Sequence, residues 1–133
     1  MSQTMLHHVS IPVRDLDSAL EFYQTVLGLK QTTRPNFPGK GAWLTCGESQ
    51  IHLALNLGGT YRAKRNISPI DLHFAMRVED FEAALSKFRE LGFSENHPSD
   101  HVKRLFLDRQ SIAGYPQVFL TDPDFNIIEV NSA

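Results

Sequence analysis

The chain contains one unit twice. Sliding the sequence by 65 residues lays His8 on His73 and "HVSIPVRDLDSALEFY" (8–23) on "HFAMRVEDFEAALSKF" (73–88). Val13 then meets Val78, Asp15 meets Asp80, Ala19 meets Ala84 and Leu20 meets Leu85. After one gap, "LGL" (27–29) meets "LGF" (91–93). A motif that recurs once in 133 residues restricts the fold to two small halves built on one plan.

The periods within each copy say what that plan is. Val9, Ile11 and Val13 alternate with His8, Ser10 and Pro12, as in a half-buried strand. Pro12 donates no ladder hydrogen bond, which places this stretch at a sheet edge or a strand end. Asp15 is positioned to cap a helix in which Leu16, Leu20, Tyr23 and Leu27 share a face, with Gly28 ending it. In the second copy Leu72, Phe74, Met76 and Val78 alternate, Asp80 caps, and Phe81, Ala84, Leu85, Phe88 and Leu91 form the helix face. Further strand-like segments follow at 29–33, 42–47 and 50–57, and at 93–97, 102–108, 117–122 and 126–131. The expectation is an α+β chain of one domain, 1–133, built from two tandem βαβββ modules at about 5–58 and about 70–131. The polar, basic stretch 58–69 joins them.

Bulk properties exclude several classes. The formal net charge of −2 carries no footprint for nucleic acid. Apolar runs stop at strand length, so no membrane span is expected. "MSQTML" lacks the regions of a signal peptide, and Cys46 is the only cysteine, so a cytoplasmic protein without an internal disulfide is expected.

Strand parity then sorts the polar residues. Helices cover the apolar face of each sheet. On the opposite face fall His8, His52, His73 and Glu129, together with Ser10, Gln50, Ala75 and Asn131. An isolated strand histidine is ordinarily solvated or hydrogen-bonded. Three histidines and a glutamate of one parity, two of them repeat equivalents, instead match the donors used for borderline divalent metals. Two sheets facing one another would bring the four together. Trp43, Thr45, Gln117 and Phe119 share that parity and are expected either to line a pocket or to pack between sheets. Cys46 has helix-side parity and is expected buried and inert. His7, also of helix-side parity, reaches solvent at the strand start. The basic "YRAKRN" (61–66) is a solvated loop or a lid over an anionic substrate.

"HHVSIPVRDLDSALEFYQTVLGL" (7–29), "LHFAMRVEDFEAALSKFRELGF" (72–93) and "FLTDPDFNIIEV" (119–130) together resemble the vicinal oxygen chelate superfamily over nearly the whole chain. That group holds glyoxalases, bleomycin-resistance proteins and extradiol dioxygenases. The resemblance implies a cupped, mostly antiparallel sheet with helices on the outer face, around one divalent ion (Zn, Ni, Co, Mn or Fe). It implies His8, His73 and Glu129 as metal ligands. His52 stands where glyoxalase-like members place a fourth ligand, usually Glu or Gln, and is a ligand, a base or a substrate contact. Glu129 and His52 are the candidate catalytic groups. Phe125 replaces the glycine common in the family's turn, which opens the turn type to change. The basic and potassium-binding elements of fosfomycin-resistance members have no counterpart in "HPSDHVKRLFLDRQ" (97–110), and that activity is not expected.

The implied function is a glyoxalase-like lyase or isomerase that chelates a small oxygenated substrate and stabilises an enediolate or oxyanion. The alternatives are an extradiol-type iron dioxygenase and a non-catalytic binder of the bleomycin-resistance kind. A homodimer is expected, with no nucleic-acid or membrane partner.

Overall fold

The structure is a computed structural model that describes residues 3–133. The elements run β1 (His8–Val13), α1 (Leu16–Leu20), a π-helical segment (Glu21–Val26), β2 (Lys30–Thr32), β3 (Gly41–Cys46) and β4 (Ser49–Leu55), then β5 (His73–Arg77), α2 (Phe81–Glu90), β6 (Phe106–Asp108), β7 (Gln117–Thr121) and β8 (Ile127–Asn131). The chain divides into two compact units, Met1–Tyr61 and Arg62–Ala133. Each unit holds its own four-stranded sheet, in the order β1-β4-β3-β2 and β5-β8-β7-β6. The βαβββ plan is therefore present twice. In each sheet the first strand pairs parallel with the last, and the other two pairings are antiparallel. Among the described residues no helix is long and apolar enough to cross a membrane.

The first core is formed by Ile11, Val13, Ala42, Leu44, Ile51 and Leu53 with Ala19, Phe22 and Tyr23 from the helix, all buried. Asp15 caps α1 by accepting from the amides of Asp17 and Ser18. The regular helix ends after five residues, and the chain widens into a π-helical turn in which the Leu27 amide donates to the Phe22 carbonyl. The widening lets two consecutive aromatics, Phe22 and Tyr23, both turn inward and meet edge to face at 5.1 Å. An uninterrupted α-helix with Leu16 and Leu27 on its buried face is thus corrected: both are only half-buried.

In the second unit Asp80 accepts from the Ala83 amide, and α2 buries Phe81, Leu85 and Phe88. Gly28 and Gly92 follow the two helices at φ 73° and 95°, which a side chain would resist. The buried strand partners are Met76, Val118, Leu120, Ile128 and Val130.

Other strand limits also differ. The 93–97 segment forms no strand; Ser94 makes one isolated parallel bridge to Arg104. The 102–108 segment is strand only over Phe106–Asp108. Leu57 and Leu72, 77 % and 83 % exposed, lie just beyond strand ends, where alternation no longer directs a side chain to the core.

Candidate functional site

In the first unit, β1 and β4 run side by side with Ser10 opposite His52 and His8 opposite Gln50. On the next strand Trp43 lies opposite His52. Three flat rings consequently form a stack across the sheet. Trp43 and His52 lie 3.9 Å apart between centroids at 1°, and His52 and His8 lie 4.0 Å apart at 17°. His52 is 9 % exposed. Its Nε2 donates to the Gln50 side-chain oxygen at 2.7 Å, because that oxygen only accepts, so Nδ1 keeps the lone pair in the neutral ring. Burial, and then the neighbouring His8 and His7, hold the His52 pKa below the ordinary histidine value. His8 is exposed, and its Nδ1 shares a hydrogen bond of 2.9 Å with Nδ1 of His7. A cavity of about 490 Å³ opens here, lined among others by His8, Arg34, Phe37, Trp43 and His52. Thr45 is exposed, outside that lining, and donates to the Lys30 carbonyl.

In the second unit Ala75 lies opposite Glu129 in the parallel pair β5–β8. Glu129 is 4 % exposed, and its two oxygens have different partners. Oε2 accepts from the Asn131 amide at 2.7 Å and from the Gln117 amide at 3.2 Å. Oε1 faces His73 Nε2 at 3.2 Å. The Asp71 carbonyl, which only accepts, lies 2.8 Å from His73 Nδ1 and so fixes the proton on that nitrogen. In a neutral ring Nε2 then turns a lone pair toward a carboxylate oxygen. Acceptor faces acceptor, and a cation or a proton between them removes the conflict. Phe119, 1 % exposed, meets His73 edge to face at 5.5 Å. Arg77 donates to the Asn131 oxygen at 2.9 Å and lies 4.7 Å over the Tyr115 ring.

The structure thus pairs His8 with His52 and His73 with Glu129. Among the described residues, no group of three or more His, Cys, Asp or Glu is gathered to hold a metal. The second pair fits a divalent ion. One imidazole nitrogen is committed to a backbone carbonyl, the other nitrogen and a carboxylate oxygen adjoin, and amides tie down the far oxygen, as around metal-ligating histidines and carboxylates. The first pair fits it only in part. A ligating lone pair lies in the ring plane, and two nearly parallel planes some 4 Å apart do not meet on one atom at bonding distance of about 2.0–2.1 Å.

Several contributors escaped the sequence. Gln50 and Asn131 have the right parity, but amides carry no metal signal. Arg34 and Phe37 lie in a loop without period. Asp71 acts through its backbone. Arg65 of the basic stretch is part-buried: it donates to Thr121 Oγ1 at 2.6 Å and to the carbonyls of Asp122 and Pro123. It also lies 4.8 Å over the Phe125 ring, and Phe125 keeps the left-handed conformation, φ 73°, with phenylalanine in the glycine's place. Cys46 is half-buried rather than buried, and burial raises its thiol pKa, as an inert thiol requires.

A family model described as Glyoxalase/Bleomycin resistance protein/Dioxygenase superfamily matches residues 5–130. Glyoxylase I 4 of Arabidopsis thaliana is 33 % identical over 131 residues, covering 96 % of this chain and 70 % of that protein. Glutathione transferase FosA of Serratia marcescens is 28 % identical over 105 residues, covering 77 % of this chain and 72 % of that protein. Among solved structures, a glyoxalase/bleomycin resistance protein/dioxygenase from Alicyclobacillus acidocaldarius superposes with a TM-score of 0.68 at 25 % identity, covering 96 % of this chain and 90 % of that one.

Proposed function

The chain belongs to the glyoxalase/bleomycin resistance protein/dioxygenase superfamily, and from that premise we propose that it is a divalent-metal-dependent enzyme of the glyoxalase type, a lyase or isomerase of a small oxygenated substrate. The observation that supports this most directly is the His73–Glu129 pair, with Nδ1 tied to the Asp71 carbonyl and Nε2 turned to a carboxylate. In this proposal His8, His73 and Glu129 are the ligands, and a bound divalent ion supplies Lewis acidity toward two neighbouring substrate oxygens, lowering the cost of an enediolate or oxyanion. Gln117 and Asn131 hold Glu129 in one orientation through Oε2. His52 offers Nδ1 as a proton acceptor or further donor, since Gln50 occupies its Nε2.

The test begins with metal content. Tag-free protein is expected to hold about one equivalent of a divalent ion; less than a tenth after exposure to Zn, Ni, Co, Mn and Fe(II) overturns the proposal. Metal-loaded protein is then expected to exchange the hydrogen beside the carbonyl of an α-hydroxy ketone with solvent deuterium. Oxygen uptake with catechol under Fe(II), without such exchange, would select the extradiol dioxygenase instead.

One observation favours a second reading. The first unit joins an aromatic cavity to a histidine pair whose rings do not aim at one atom. A metal-free binder of a flat small molecule has that character, and the metal measurement separates the two.

A further inference from the structure

Arg34 is the single permanently charged side chain lining the first unit's cavity. Three other guanidiniums in this chain sit on acids, Arg62 on Asp71, Arg89 on Glu95 and Arg109 on Glu82, and Arg65, Arg77 and Arg104 hold neutral oxygens at close range. Arg34 has neither kind of close partner. Its contacts among the described residues are the Gly39 carbonyl, 3.5 Å from Nη1, and the Phe37 ring, 5.5 Å from the guanidinium carbon. The placement is built into β3. A Cβ at Gly41 would stand 2.8 Å from Arg34 Nε and 2.5 Å from the Leu53 carbonyl, so only glycine there lets the arginine lie against the sheet beside the cavity.

Next to this charge stand two flat apolar faces. Phe37 and Trp43 both line the cavity, with centroids 6.0 Å apart and planes inclined at 41°, a tilted contact rather than a parallel stack. Phe37 is 51 % exposed, so this pair is within reach of a ligand from solvent. Guanidinium is planar, and its fork matches a planar carboxylate through two parallel hydrogen bonds. No lysine and no second arginine lines the cavity, which disfavours a phosphate dianion that one arginine leaves half neutralised.

We propose that this cavity binds a flat, conjugated carboxylate, such as an aryl carboxylate, with its anionic end on Arg34 and its ring against Phe37 and Trp43. The inference goes beyond the function proposed above: it concerns the first unit's cavity, lined by His8 and His52, and binding there does not depend on the metal reading.

Trp43 is the only tryptophan in the chain, so tryptophan emission reports on this pair alone. Benzoate is titrated into metal-free protein in EDTA and into metal-loaded protein, with benzamide and cyclohexanecarboxylate as the neutral and non-planar comparisons. Benzoate is expected to change Trp43 emission saturably in both states. Binding is expected to weaken about tenfold or more in Arg34→Met and for benzamide, the scale of a lost charge-assisted pair, and to weaken also for cyclohexanecarboxylate, which keeps the charge but cannot lie flat against the rings. Equal affinity for benzoate and benzamide, or an unchanged affinity in folded Arg34→Met, overturns the proposal. Benzoate binding that appears only with metal and ignores Arg34 also overturns it while leaving the metal reading intact. Binding that persists through Arg34 in a protein that takes up no metal supports it while removing the metal reading.

Discussion

His52 and Glu129 hold the same register position in their two sheets. His52 lies opposite Ser10, two residues beyond His8; Glu129 lies opposite Ala75, two residues beyond His73. The two histidines are 65 residues apart, but this second pair is 77 apart, because the second unit is longer between its helix and its last strands. A duplicated frame therefore carries an imidazole in one copy and a carboxylate in the other. Four predictions follow from these two environments.

Removing a donor from the second pair should abolish tight metal uptake. Glu129→Gln keeps the shape and a carbonyl oxygen but loses the charge. Affinity for Zn²⁺ or Ni²⁺, measured by competition with a chromophoric chelator, is expected to fall at least 100-fold, with a similar loss in His73→Ala. Wild-type affinity in both variants would remove this pair from any metal centre.

Asn131 acts one step further out. Asn131→Leu leaves Glu129 Oε2 with only the longer Gln117 bond and deprives Arg77 of its acceptor. Loss of a bond to a buried carboxylate costs about 1–3 kcal/mol of stability, readable by urea unfolding. Metal affinity is expected to fall about 10- to 100-fold, as for outer partners of ligands elsewhere. A stability loss with unchanged metal affinity would confine Asn131 to a structural role.

Gly41→Ala tests the seat of Arg34. The new methyl must displace both the Leu53 carbonyl of the paired strand and the arginine. Overpacking of this kind costs about 1–3 kcal/mol. Thermal unfolding should show a clear decrease, while Gly47→Asn, at a turn with nothing near its Cβ and φ 58°, should be close to neutral. A stable Gly41→Ala would show that the first strand pair has slack there.

His52 gives a pH dependence of defined sign. Its folded pKa lies below the ordinary value, so the unfolded chain takes up this proton first as pH falls. Between about 6.5 and the lower folded value, the unfolded state binds more protons, and stability drops with acidification. Above that window the group contributes no pH dependence. Melting temperatures of the wild type and His52→Gln between about pH 7 and 5 should converge as pH falls; parallel profiles would contradict the shift.

Much of the frame was legible because it is local. Alternation told which face His8, His52, His73 and Glu129 take, and the two aspartate caps and terminal glycines marked both helices. The π-helical turn was not legible, since Phe22 and Tyr23 can both enter the core only once a backbone hydrogen bond shifts register, a choice made by packing. The missing strand at 93–97 has a different cause: Phe93 is the only apolar residue of "FSENH", so no alternation directs the segment into a sheet, and it makes one bridge through Ser94.

By itself, then, the sequence determined the duplication, the two βαβββ frames and the side of each sheet on which the donors stand, because a period of two is a property of any extended backbone. Tertiary structure alone decided which atom of each donor is free. The Asp71 carbonyl claims Nδ1 of His73, Gln50 claims Nε2 of His52, two amides claim one oxygen of Glu129, and Gly41 seats Arg34 beside Trp43. Proton positions and ring orientations follow from hydrogen-bond partners and neighbours that only the folded chain brings within reach.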